Sequence, residues 1–192
     1  MKRLTMLLLM GVLCGCEISL SRAPVGEAPL NIADETEAWE GFWVCRAPDD
    51  VKGSTGPVMV TVQDATNGVL KVEMLGPEDK DKDDPKKYTV YLKKGGDWTL
   101  ASVELLDEKK TNEPPAYAWG RLKKSERMAY LWWARKKALD PLVKSGKIPA
   151  YEPDGKDEVL GAFNAAQVAE VTCETNGVLY MWGEPLLFMR AD

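Results

Sequence analysis

The residues of this chain best suited to covalent chemistry are its four cysteines, at positions 14, 16, 45 and 173. No histidine accompanies them. That absence removes Cys–His and Ser–His nucleophilic catalysis, imidazole metal ligation and a proton switch near neutral pH. Ser54 and Ser102 therefore lack the base that would make either a nucleophile, and neither a G-x-S-x-G elbow nor a phosphate-cradling glycine loop occurs. Carboxylates can do acid–base work without histidine, yet no spacing pairs Glu73 with Glu104. The densest charge run, EDKDKDD over 78–84, places Asp79, Asp81 and Asp83 like the start of a calcium loop. Asp84 stands where that loop needs glycine, and Val90 where it needs its bidentate glutamate. The run reads as a solvated hairpin loop, with Lys80 and Lys82 offsetting its acids. No catalytic residue, metal site or cofactor is predicted, and an enzyme is not expected.

The cysteines divide by context. Lys2 and Arg3 precede ten mostly apolar residues, 4–13, which is too short for the roughly 20 that cross a bilayer. This is the pattern of a secretory signal. It ends Leu13-Cys14-Gly15-Cys16, which resembles the bacterial lipobox, where a small residue precedes the modified cysteine. The resemblance implies cleavage after Gly15 and a thioether lipid on Cys16. It also implies sorting to the outer membrane of a diderm cell, because Glu17 and not Asp follows. Cys14 is the poorer acceptor, since bulky Leu13 precedes it. Each buried CH₂ of an acyl chain contributes about 0.8 kcal/mol, and a second chain already makes anchoring stable. The expectation is an exported protein held in the cell envelope through Cys16, with residues 1–15 removed. Cys45 and Cys173 then remain. In an oxidising compartment they are a candidate disulfide, worth about 5 kcal/mol by loop-closure entropy; the other reading is two buried thiols.

With 192 residues, 45% apolar and 29% charged, the composition is that of one globular domain. The formal net charge is −5 and grows more negative once Lys2 and Arg3 leave, which opposes nucleic-acid binding. Residues 16–37 show no period and are broken by Pro24, Gly26 and Pro29, so they read as a flexible tether. The remainder, 38–192, reads as a single β-rich domain. Period-two alternation marks strands over 39–46, 58–63, 69–75, 88–93, 98–106, 116–122 and 127–133. Asn67-Gly68 and Gly95-Gly96-Asp97 supply two of the turns. Two helical segments follow: 135–145, whose Pro141 suits a first turn, and a stretch that Asn164 caps and that ends at Thr172. A last hairpin is expected from 178–182 and 186–190. The fold class is mainly β: an antiparallel meander of about nine strands, closed into a barrel or strongly curved, with one or two short helices before the final hairpin.

Gly41-Phe42-Trp43 on the first strand resembles the G-x-W of lipocalins. In that superfamily the tryptophan closes one barrel end beneath an arginine from near the last strand, and Arg190 stands where such an arginine lies. The resemblance implies that Gly41, Trp43 and Arg190 pack together at a barrel end. The seven tryptophans and six tyrosines either line an apolar pocket or pack the core. Trp132 and Trp133 are adjacent in a strand and must point to opposite faces, so one is exposed, covered by a helix or at an interface. Arg135, Lys136, Lys137, Lys144 and Lys147 make the first helical segment basic, as an exposed face or as a contact for anionic lipid. The functional expectation is a non-catalytic binding or interaction module, attached to the membrane at Cys16 in the periplasm or at the cell surface and meeting a protein partner. The alternative is a lipocalin-like carrier of a small apolar ligand.

Overall fold

The computed structural model describes residues 18–46, 56–75, 86–105, 114–154, 157–173 and 184–191. Cys14, Cys16, the acidic run over 78–84 and the expected strand over 178–182 lie outside the described residues.

The protein is mainly β: the described residues form a closed antiparallel barrel of eight strands with extra strands and three short helices. Seven barrel strands follow one another in the chain: β3 (Gly41–Arg46), β4 (Gly56–Asp64), β5 (Val69–Met74), β6 (Lys86–Gly95), β7 (Trp98–Leu105), β8 (Ala116–Lys124) and β9 (Met128–Trp133). The eighth, β12 (Leu186–Arg190), inserts between β9 and β3, and β8 pairs with β9 to complete the ring. Closure removes the two exposed edges that an open meander would present. Alternation decides the facing. Val58, Leu70, Leu92, Ala101, Leu122 and Leu131 point inward as one core, while Leu100 and Trp119 point outward and are fully buried all the same.

They are buried because a second core lies on the outside of the wall. Helices α2 (Lys136–Lys144) and α3 (Ala165–Thr172) bring Leu139, Leu142, Val168 and Val171 onto the outer faces of Leu100 and Trp119. A hairpin of β10 (Tyr151–Asp154) and β11 (Asp157–Leu160) completes this layer, with Leu160 at its centre. Trp132 and Trp133 divide between the two cores: Trp132 packs into the outer layer and Trp133 lines the barrel.

Three expectations need correction. The tether assigned to 16–37 is, from residue 18 onward, part of the fold. Strand β1 (Leu20–Ser21) joins β8 to β11, and β2 (Ala28–Pro29) pairs with β6. Val25 and Ile32 are buried, and Arg22 pairs with Asp154 at 3.0 Å. Single apolar anchors at 25 and 32 leave no period to read, yet Val25 joins the outer core and Ile32 the inner one. Trp39, assigned to the first strand, instead ends a short helix, α1 (Thr36–Trp39), which follows a 3₁₀ turn over Ala33–Glu35. Pro141 lies inside α2 and not in its first turn. The apolar face of Ala138, Leu139 and Leu142 fixes where that helix begins, and its burial outweighs the roughly 3 kcal/mol that an interior proline costs.

Candidate functional site

The barrel interior is an apolar cavity of about 150 Å³. All eight barrel strands line it, and α1 adds Trp39. Among the described residues no charged side chain belongs to its wall; its polar groups are the Trp39, Trp43 and Trp133 indoles, the Cys45 thiol and the Tyr88 phenol. One end is plugged. Residues 30–39 fold beneath it, tied by Leu30 N–H to Leu92 O (2.9 Å) and Ile32 N–H to Ala65 O (2.8 Å). Ile32 and Trp39 are buried there, and Trp43 Nε1 donates to Trp39 O at 3.1 Å. The turn over 65–68 makes room for this plug. Gly68 adopts φ +63°, and any Cβ on it would collide with the carbonyls of Leu30 and Leu92. The sequence signalled that turn, but not the segment that crosses over it.

Gly41, Trp43 and Arg190 meet at the plugged end. Trp43 and Arg190 are direct cross-strand partners, and a Cβ on Gly41 would lie 3.7 Å from Arg190 Nη2. A second cation joins them: Lys124 Nζ lies 5.0 Å from the centroid of the Trp39 ring. Burial pushes the Lys124 pKa down, and the nearby Arg190 charge pushes it the same way. Neither Lys124 nor Arg190 is part of the cavity wall.

Cys45 faces the interior and is 4% exposed. Burial raises its thiol pKa to about 11, so it is a neutral apolar group at physiological pH. The disulfide expected between Cys45 and Cys173 is not made; both are thiols. Cys45 belongs to the inner core, whereas Cys173 follows α3, which packs on the outside of the wall. Spacing in sequence carried no information about which side of the wall each would occupy.

Ser54 lies outside the described residues, and the other polar candidates have structural partners. Ser102 is fully buried, and its hydroxyl accepts from Val25 N–H at 3.0 Å, holding the N-terminal segment. Glu104 accepts from Tyr91 Oη at 3.1 Å, and Glu73 pairs with Lys71 at 3.0 Å. The basic helical stretch is partly neutralised. Lys136 reaches Asp140 (3.2 Å) and Glu158 (3.3 Å), and Lys147 reaches Glu170 (3.1 Å). Arg121, not singled out from sequence, stacks between Trp98 and Trp132 at 4.8 and 4.7 Å from their ring centroids. Among the described residues no cluster of three His, Cys, Asp or Glu side chains converges.

One buried donor stands out in the cavity wall. Trp39 is 7% exposed, and among the described residues its Nε1–H has no acceptor. Buried indole N–H groups nearly always find a partner. Comparison of the chain with protein-family profiles, curated proteins and solved structures returns no match.

Proposed function

We propose that this protein is an exported lipoprotein, anchored through Cys16, and that it is a non-catalytic carrier whose barrel holds a small ligand. The ligand is apolar over most of its surface and carries one hydrogen-bond acceptor. The observation that carries the reading is the cavity of about 150 Å³ with no charged group in its wall. A space of about this size accepts a ligand on the scale of a single ring or a short acyl chain, since an apolar cavity of roughly 150 Å³ binds benzene. The unpartnered Trp39 N–H supports the acceptor: a hydroxyl, carbonyl or carboxylate on the ligand removes the cost of leaving that donor dry. The lipobox resemblance at Cys16 supports the anchor, and the G-x-W resemblance at Gly41 and Trp43, with Arg190 across from Trp43, supports a lipocalin-like carrier.

The test is a titration with a short-chain alcohol and with the alkane of matched length, read by native mass spectrometry. Binding of the alcohol is expected to be several-fold tighter, because a neutral hydrogen bond contributes about 1 kcal/mol net. Trp39→Phe is expected to erase that difference while leaving alkane binding in place. Val60→Trp, which fills the wall, is expected to abolish both. An alkane and alcohol that bind equally to the unaltered protein remove the acceptor from the proposal, and no binding by either removes the carrier.

A further inference from the structure

We propose that the outer flank of the barrel over β3, β12 and β9 is the surface that lies against a lipid bilayer. The helices and the β10–β11 hairpin cover the wall near β7 and β8, but this flank presents apolar side chains to the outside. Its cross-strand rows are Val44–Met189–Met128 and Leu187–Tyr130, with Phe42 opposite Met59. Phe42 (51% exposed) and Met128 (40%) are the exposed large hydrophobic residues of the described chain, and both stand here. Scattered exposed apolar residues carry little meaning, whereas a contiguous patch across four strands marks a contact surface.

The bilayer is the occupant because of where the chain enters. This step rests on the lipid anchor at Cys16. Ile18 bridges Arg135, two residues beyond the end of β9, and Ser19 N–H donates to Ala134 O at 2.8 Å. Glu17 alone separates Ile18 from Cys16, so the stem spans about 7 Å at full extension. The stem therefore emerges at the Trp133 end of β9, and a lipid at Cys16 brings the bilayer to the strand whose other end supplies Met128 and Tyr130. Charge agrees with this placement. The second row continues to Arg46 on one side and Lys123 on the other, where basic residues meet anionic headgroups at about 1 kcal/mol each. Acids appear at the borders, at Glu73 on β5, next to Met59 and paired with Lys71, and at Glu126.

The experiment uses the full lipidated protein in vesicles of zwitterionic and anionic lipid, with Cys173→Ser in the background and Cys45 left unlabelled in the core. A fluorophore is placed at Met128→Cys or at Asp97→Cys. Asp97 is exposed on the turn between β6 and β7, on the opposite side of the ring from β12. With spin-labelled lipids present, the label at 128 is expected to be quenched several-fold more than the label at 97. Phe42→Glu is expected to reduce that quenching without detaching the protein. The mass of the mature N-terminus reports the anchor separately. A lipidated Cys16 with equal quenching at both sites overturns the docked flank and leaves the anchor standing, as does a 128-to-128 crosslink between copies. An unmodified Cys16 removes the anchor, and the docked flank with it.

Discussion

Cys45 shows how one side chain carries the character of the whole interior. Its residue type suggested a bridge, but its neighbours make it a buried thiol that keeps its proton up to about pH 11. In the unfolded chain the same thiol loses its proton around its ordinary value of 9.0. Between those values the unfolded state binds fewer protons than the folded one. The contribution is thus fully present below pH 9 and is lost as pH rises through the folded value. A shift of this size corresponds to about 2–3 kcal/mol. Urea denaturation at pH 8 and pH 11 is expected to show a larger loss of stability for the unaltered protein than for Cys45→Ala, because Tyr91 and Tyr151 add losses in the same direction to both proteins. An equal loss in the two proteins would place Cys45 in contact with water. Trp132 and Trp133 make the same point without titration: adjacency required opposite facings, and only the outer helical layer explains why both could be apolar.

At the scale of elements, local chemistry and tertiary contact share control, and their shares differ from one element to the next. Helix α3 is set locally. Asn164 Oδ1 accepts from Gln167 N–H at 3.0 Å, and Gln167 Oε1 accepts from Asn164 N–H at 3.0 Å, a reciprocal capping box readable from sequence. Asn164→Ala is expected to cost about 1 kcal/mol, measured as a lower denaturation midpoint with the ligand-binding titration unchanged. If the midpoint holds, packing of Val168 and Val171 alone fixes the helix. Helix α2 is the opposite case. It runs through Pro141 and lacks a side-chain cap at Arg135, so the outer core must hold it in place. The β10–β11 hairpin leaves little trace in the sequence, because its strands are four residues each and carry Pro153, Asp154 and Glu158. Pairing to β1 and the Arg22–Asp154 contact stabilise it, and neither is local.

For the molecule as a whole, the N-terminal segment decides what kind of object this is. A barrel on a loose tether would sample many orientations at a membrane. Here residues 18–39 close one barrel end and extend the sheet, so the proposed anchor at Cys16 leaves a stem of two residues. Hydrogen exchange tests this directly. The amides of Ser19, Leu30 and Ile32, bonded to Ala134, Leu92 and Ala65, are expected to exchange at least about 100-fold more slowly than unstructured chain. Fast exchange at all three would restore the tether and detach the flank over β3, β12 and β9 from any fixed position.

The barrel strands are legible in the chain, because period-two alternation and turn chemistry act over a few residues and leave a local trace. The cap of α3 is legible in the same way, whereas the adjacency of Gly41, Trp43 and Arg190 was only what a three-residue resemblance implied. Long-range packing settles the rest: that the sheet closes, that a second core grows on its outside, that Cys45 and Cys173 are on different sides of the wall, and that residues 18–37 are part of the fold. Those outcomes depend on which distant surfaces fill one another, and a residue such as Val25 or Ile32 has no neighbour in sequence that says which gap it fills.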